Sequence, residues 1–260
     1  MIGDPFFYAV AIPAIVLIGV SKGGFGSGAG LLATPLMALA LPIPQAAAIL
    51  LPILCVMDLV GLAAYRGTFS RENLPVLLAG GVAGVALGAA TFRYFDESWL
   101  RALLGAIAIG FVAHRYARRA DVTPSRPSVP KGLFWSLVSG VTSTIAHAGG
   151  PPLSVYLLPQ RLDKRVLVGT TVVFFAVINF VKLVPYAWLG LFDERNLATS
   201  LVLSPLAPVG IGLGVWLMRR LSEAVFYRVC YGLVFAMGLK LLYDGIRGIA
   251  RGGALFPGLQ

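Results

Sequence analysis

Long apolar stretches separated by short polar connections run from one end of the chain to the other. Eight of them lie at about residues 6–40, 46–65, 74–92, 99–113, 132–158, 166–188, 197–218 and 224–243. Six have lengths close to the roughly 20 residues that an α-helix needs to cross the hydrocarbon of a membrane. The pattern therefore predicts an all-α, polytopic helical membrane protein.

Two of these stretches carry an interruption that a continuous helix tolerates poorly. The stretch 6–40 is too long for one straight span, and it contains the glycine-rich run SKGGFGSG from Ser21 to Gly28. The stretch 132–158 contains the run TSTIAHAGGPP, in which Pro151 and Pro152 remove two backbone donors. Both stretches are predicted to form two half-helices around an unwound joint.

The two interruptions occupy matching places in two halves of the chain. The same difference in residue number, the repeat offset, separates the members of four pairs: Gly149 and Gly28, Gly140 and Gly19, Asn179 and Asp58, and Tyr186 and Tyr65. A slightly larger difference separates Asn196 from Asn73, Arg219 from Arg93 and Glu223 from Glu97. Several polar pairs in the same order indicate an internal duplication. We expect one membrane domain with a first repeat at 1–119, a connecting loop at 120–131 and a second repeat at 132–260.

Composition and charge exclude a soluble domain and orient the predicted spans. The chain is 58% hydrophobic and 12% charged, whereas soluble domains carry about 25% charged residues. Its net charge of +10 comes from basic residues in short connections, which is typical of loops facing the cytoplasm and argues against nucleic acid as a partner.

Placing the basic connecting loop in the cytoplasm leaves two alternatives for the interrupted stretches. Either they cross the membrane completely, or they re-enter it as helical hairpins. The hairpin alternative puts the basic cluster Arg161, Lys164 and Arg165 inside, as the charge rule favours. It gives each half three spans and inverts the halves relative to each other. It predicts a multi-pass protein of a bacterial-type inner membrane with both termini outside.

Irregular backbone at membrane depth persists only where protein or a water-filled cavity satisfies its polar groups. Two joints, one from each half, therefore predict a central polar cavity. Half-helix N-termini and hydroxyl groups in such a cavity favour an anion. The residues predicted to bind it are Ser21, Lys22, Gly23, Gly24, Gly26, Ser27, Gly28, Thr142, Ser143, Thr144, His147, Gly149 and Gly150.

Four ionisable side chains stand out in this apolar setting. Lys22 is predicted to pair with the charge of a substrate, the alternative being a side chain that extends to the membrane surface. His147 is predicted to donate to an anion or to accept a coupled proton, the alternative being a hydrogen-bonded structural histidine. Asp58 and Lys182 are expected to form an ion pair, either structural or opening during transport, with Asn179 near the same cavity.

Motifs of catalysis and of metal binding are missing from the sequence. It contains no Gly-x-Ser-x-Gly elbow, no His-Glu-x-x-His and no phosphate loop. We therefore expect neither an enzyme nor an ATP-driven pump, and we expect no cofactor. A metal site is not expected, because the only other histidine, His114, lies beside a basic loop. An intramembrane enzyme using Asp58 or His147 is the alternative.

These motifs together resemble those of the TauE/SafE family of sulfite and organosulfonate exporters, also called the 4-toluene sulfonate uptake permease family. The resemblance rests on residues 19–35, on residues 140–152, and on the duplicated layout of eight segments. The runs 147–152 and 156–160 look characteristic of one branch. The resemblance implies anion binding at the two joints, Ser21–Gly28 and Thr142–Gly150.

The resemblance also implies a secondary transporter that exports sulfoacetate, related sulfonates or sulfite by alternating access. Export is favoured because the negative interior expels an anion, whereas uptake would need cotransported cations. The alternatives are an anion-selective channel and a transporter of a different carboxylate or sulfonate. The expected partners are a small anionic substrate and the lipid bilayer, with a proton or a sodium ion as candidate coupling ion and a homodimer as candidate assembly.

Overall fold

Helices make up the fold throughout the part of the chain that the structure describes. The computed structural model describes residues 2–26, 37, 40–41, 43–91, 97–117, 124–188 and 190–252. Within these ranges the helices are α1 (Pro5–Gly24), α2 (Ile43–Ala64), α3 (Leu74–Thr91), α4 (Glu97–Ala117), α5 (Val129–Ala146), α6 (Gly150–Leu157) with a 3₁₀ turn (Leu158–Gln160), α7 (Lys164–Trp188), α8 (Glu194–Leu203), α9 (Leu206–Arg220) and α10 (Glu223–Ala250). The predicted all-helical fold is confirmed.

Several of these helices have the length and apolarity of membrane spans. Among the described residues, α1, α2, α3, α7 and α10 each meet both criteria. Helices α8 and α9 meet them together, and the chain bends by 42° between them. Pro205 lies at this bend as the N-cap of α9, and because it has no backbone N–H it cannot continue the hydrogen bonding of α8. The chain is therefore a multi-pass membrane protein.

Helices α5 and α6 form an antiparallel hairpin. The hydroxyl of Ser139, in the middle of α5, donates to the carbonyl of Gly149 at the start of α6, with 2.7 Å between the oxygens. Tyr156 near the end of α6 lies beside the start of α5, where its hydroxyl accepts from the backbone N–H of Ser128 at 3.2 Å. Helix α6 thus returns toward the end at which α5 begins, as the hairpin alternative predicts for the second half.

Glycines let two pairs of helices cross at backbone contact. In the pair α1/α9, a β-carbon on Gly19 would lie 2.7 Å from the α-carbon of Gly210. In the pair α3/α5, a β-carbon on Gly84 would lie 3.0 Å from the α-carbon of Gly140. Small residues at such crossings allow close van der Waals packing where lipid supplies little hydrophobic drive. Each pair joins a helix from the first apolar stretch of one predicted repeat to a helix from the third apolar stretch of the other.

Helices α2 and α7, which form the second apolar stretch of each predicted repeat, pack directly against each other and run in opposite directions. Asp58 lies beside Asn179, whereas Gly61, further along α2, lies beside Val172, which precedes Asn179 on α7. Corresponding helices that run antiparallel are what inverted halves require. The duplication stays a prediction, and this packing agrees with it.

One end of the bundle gathers most of the basic connections. The ammonium of Lys164 at the start of α7 donates to the carbonyls of Met218 and Leu221 at the end of α9, at 3.1 and 2.6 Å. The connection from α2 to α3 meets the same end of α7, since the amide of Ser70 donates to Thr170 at 2.9 Å. The basic side chains of these connections are Arg66, Arg71, Arg126, Lys131, Arg161, Lys164, Arg165, Arg219 and Arg220.

The glycine crossing of α3 and α5 predicts how a single side chain would affect stability. Gly84→Val should lower the free energy of unfolding by about 1–3 kcal/mol, because the added methyl groups overpack a backbone contact. Gly212→Val is the matched control, since nothing lies within 4 Å of a β-carbon built there. Thermal unfolding in detergent measures both, and equal midpoints for the two variants would contradict the close crossing.

Candidate functional site

The end of α1 carries a buried ion pair. The side chain of Lys22 is 8% exposed, and its ammonium lies 2.6 Å from a carboxylate oxygen of Asp58 on α2. It also donates to the carbonyl of Leu54 at 3.4 Å. Burial of a charge is costly unless an opposite charge and hydrogen bonds compensate it. Lys22 is thus directed into the protein, and the alternative of a side chain extending to the membrane surface is excluded.

Asp58 receives its second partner from the other half of the chain. The side-chain amide of Asn179 on α7 donates to the other carboxylate oxygen of Asp58 at 2.7 Å. Asp58 is completely buried, so the ion pair with Lys22 and the hydrogen bond from Asn179 are what offset the cost of a charge that has no access to water. The network joins α1, α2 and α7 at one point.

The expected ion pair between Asp58 and Lys182 does not form in this structure. The ammonium of Lys182 lies instead 3.0 Å from the hydroxyl and 3.2 Å from the carbonyl of Ser143. It also lies 3.3 Å from Nδ1 of His147. The physical reason is rotation about α7: Asn179 takes the side that faces Asp58, and Lys182, almost one turn later, faces the hairpin tip.

His147 is held from both sides of its ring. Its Nδ1 lies beside the ammonium of Lys182, and its Nε2 lies 3.2 Å from the hydroxyl of Tyr186. When Lys182 is an ammonium it has only donors, so Nδ1 of His147 accepts and Nε2 carries the hydrogen that reaches Tyr186. The hydroxyl of Tyr186 in turn donates to the carbonyl of Thr144 at 3.3 Å.

The backbone of His147 turns the chain from α5 to α6. His147 has a φ of 49°, in the left-handed region that non-glycine residues rarely adopt. Gly26, at the corresponding place after α1, has a φ of 62°. The offset that pairs Gly28 with Gly149 also pairs these two residues. Both predicted joints therefore contain a left-handed residue at the same repeat position.

A small cavity lies between these groups. Its volume is about 40 Å³, and a single water needs roughly 10–15 Å³ by the same measure. The space thus suits a few waters or one compact oxyanion. The residues lining it are Ile18, Lys22, Gly26, Leu54, Ser143, His147, Gly150, Thr171, Phe175 and Asn179.

Three pairs of lining residues are related by the repeat offset of the sequence. They are Lys22 with Ser143, Gly26 with His147, and Leu54 with Phe175. Such matched contributions arise when a cavity lies at the interface of two related halves. The location expected for the cavity, where the two joints meet, agrees with this lining.

Several residues predicted to bind the anion lie elsewhere. Helix α1 stays helical to Gly24, so the first joint begins later than expected. Gly23 and Gly24 face α9, where β-carbons would lie 2.9 Å from the α-carbon of Ile211 and 2.7 Å from the carbonyl oxygen of Gly214. These two glycines allow helix packing, and of the glycines described in this run Gly26 is the one that lines the cavity. Ser27 and Gly28 lie outside the described residues.

At the second joint too, some of the residues predicted to bind the anion line the cavity and others do not. The hydroxyls of Thr142 and Thr144 donate to carbonyls of their own helix, at 2.8 and 2.9 Å. Ser21, Thr142, Thr144 and Gly149 are buried but are not among the residues lining the cavity. Pro151 and Pro152 remove two of the amide donors expected at the start of α6. Gly150 is the residue of this helix that lines the cavity.

Four lining residues were not predicted from the sequence. Ile18, Leu54, Thr171 and Phe175 lie within apolar helices and carry no pattern that separates them from ordinary core positions. The repeat offset offers one signal, because Leu54 and Phe175 are related by it.

Comparison with known proteins adds one finding. The family model described as sulfite exporter TauE/SafE matches residues 11–241, which is most of the chain. Among curated proteins and solved structures, no relative matches.

The buried network predicts strong coupling between Lys22 and Asp58. Lys22→Met or Asp58→Asn alone should destabilise the fold by about 3–5 kcal/mol, because each leaves a buried charge unpaired. The double variant should be more stable than the sum of the two single destabilisations predicts, by about 0.5–3 kcal/mol. Thermal unfolding in detergent measures this cycle.

Lys240 and Asp244 on α10 provide the matched control. They form an ion pair one turn apart with the lysine side chain 37% exposed, and such pairs contribute only about 0.3–0.5 kcal/mol. If the stability changes of the Lys22 and Asp58 variants were additive and as small as those at the control pair, the buried ion pair would not stabilise the fold as proposed.

Proposed function

Because the chain belongs to the sulfite exporter TauE/SafE family, we propose that it exports a small sulfur oxyanion, such as sulfoacetate, a related sulfonate or sulfite. The family is one of membrane transporters, so an enzymatic function is not proposed. The cavity between the two joints is the proposed substrate site.

The balance of charge around the cavity carries this proposal. Two lysines, Lys22 and Lys182, are buried there against a single carboxylate, Asp58, among the described residues. With both lysines charged, the site has an excess of one positive charge, which an anion would neutralise. Ser143, His147 and the backbone at Gly150 supply neutral donors around the same space.

The size of the cavity favours a compact anion. A volume of about 40 Å³ suits a sulfite ion or the sulfonate head of a larger substrate. An oxyanion accepts several hydrogen bonds at once, and the donors of both predicted repeats converge on this space. The apolar side chains Ile18, Leu54 and Phe175 complete the lining and would contact the rest of a sulfonate.

Alternating access is the proposed mechanism. Residues of both predicted repeats line the cavity in matched pairs, so either half can open it toward its own side of the membrane. The deep burial of Lys22, Asp58 and Lys182 agrees with a substrate site that is reached by movement of helices rather than through a permanent pore.

Direction and orientation follow from charge. We propose that the basic end of the bundle faces the cytoplasm of a bacterial-type inner membrane, which places both termini outside. Export of one net negative charge then gains about 2.3 kcal/mol per 100 mV of membrane potential, so an outward step needs no coupled cation.

Cysteine labelling tests the orientation. The native cysteines, Cys55 and Cys230, are both buried, so a membrane-impermeant maleimide should react only with introduced thiols. Glu194→Cys, at the start of α8, should be labelled on intact cells, whereas Arg126→Cys, before α5, should be labelled only after permeabilisation. The reverse pattern would contradict the proposed orientation.

Transport by purified protein in vesicles tests the function. Vesicles loaded with labelled sulfoacetate or sulfite should release it faster with the protein present, and unlabelled anion on the far side should stimulate release, as a carrier predicts. Single-channel currents would support a channel instead.

Two variants test the assignment of the site. Lys22→Ala and His147→Ala should each raise the half-saturating concentration about tenfold or more, because a hydrogen bond to a charged group contributes about 1.5–3 kcal/mol. Lys240→Ala on the surface of α10 is the control. Normal transport by both site variants would show that the substrate binds elsewhere.

A further inference from the structure

Lys182 is a buried amine that has no anionic partner among the described residues. Its side chain is completely buried, and the three contacts of its ammonium are the hydroxyl and carbonyl of Ser143 and Nδ1 of His147. None of these atoms carries a negative charge. In the described part of the chain, no carboxylate lies within ion-pair distance of it, and Asp58 forms its ion pair with Lys22 at 2.6 Å.

The surroundings of Lys182 leave its charge uncompensated. The ionisable groups that face it are Lys22 on α1, Cys55 and Asp58 on α2, His147 at the hairpin tip and Tyr186 on its own helix. The charges of Lys22 and Asp58 cancel, while a thiol, an imidazole and a phenol are neutral in their ordinary forms. An ammonium buried in a membrane protein without a counter-ion is costly. An anion in the cavity would provide that counter-ion.

Hydrogen bonds connect Lys182 to the cavity without placing it in the lining. Ser143 and His147 both line the cavity and both contact the ammonium. While Lys182 is charged, the hydroxyl of Ser143 accepts from it, so the hydrogen of that hydroxyl is available to an anion. A neutral amine has a lone pair and would instead draw this hydrogen away from the cavity. Protonation of Lys182 thus determines which way Ser143 donates.

We propose that Lys182 is the binding site for a proton that the protein takes up together with the anion. The empty site holds the neutral amine, and arrival of the anion is accompanied by transfer of one proton from water to Nζ. No bond of the substrate is broken, and the proton returns to water when the anion leaves. The proposal rests on the proposed function.

The proposed coupling is compatible with export of a divalent anion. A dianion such as sulfoacetate that moves with one proton carries one net negative charge, so the membrane potential still favours the outward step. A monovalent anion that moves with one proton carries no net charge, and its concentration gradient would then drive its transport.

Binding of sulfoacetate to the purified full-length protein in detergent tests the proposal. Sulfoacetate is the appropriate probe because its carboxylate and sulfonate stay ionised above about pH 6, so any proton taken up binds to the protein. Calorimetry in two buffers of different ionisation enthalpy should show uptake of one proton per anion. The dissociation constant should rise tenfold per pH unit in the range where the empty site is neutral.

Two substitutions of Lys182 separate its charge from its proton. Lys182→Met should abolish proton uptake and make affinity independent of pH. Lys182→Arg keeps a permanent charge, so it should bind the anion without proton uptake. A purely structural role would change stability or affinity in these variants but not the number of protons. Lys240→Met is the matched control, and it should take up protons as the wild type does.

The outcomes distinguish this proposal from the transport function. Binding by the wild type without proton uptake would overturn the proton site and leave anion transport standing. Uptake that persists in both Lys182→Met and Lys182→Arg would overturn it as well, and would assign the proton to another group such as His147. If the wild type bound neither sulfoacetate nor sulfite, the proposed function would fail, and the coupled proton with it.

Discussion

A carboxylate in the middle of an apolar helix bundle must have a cation and hydrogen-bond donors beside it, and this requirement organises the centre of the protein. Asp58 draws Lys22 from α1 and Asn179 from α7 to the same point. Because a charge buried without partners is costly, the end of α1 cannot move away from α2 without a large loss of stability. The cavity lies beside this network, so its position depends on that constraint.

Two glycine crossings bring the joints to the network. Helix α1 runs parallel to α9 and α5 runs parallel to α3, each at backbone contact. Gly26 after α1 and His147 after α5 both line the cavity. Lys22 and Ser143, at the same repeat position, both line the cavity. Larger side chains at the crossings would separate the helices, and donors from the two joints would no longer reach one anion.

The sequence predicted the helices and the joints better than the contacts between them. Hydropathy was sufficient for the spans, and Pro151 and Pro152 were sufficient for the break before α6. The run at Gly23 and Gly24 was misinterpreted because glycine serves both an unwound joint and a close helix crossing. The partner of Asp58 was also mispredicted, since two lysines were available and spacing along a chain does not fix the rotation of one helix against another.

The difference between Asp58 and Asn179 determines the charge of the site. These residues occupy the same repeat position and touch each other, yet one carries a charge and the other does not. A carboxylate at both positions would give each buried lysine its own counter-ion, and the cavity would hold no excess charge. With an amide at the second position, Lys182 has only neutral partners. One carboxylate fewer thus leaves a positive charge for an anion to neutralise, and it links the presence of that anion to the protonation of a lysine.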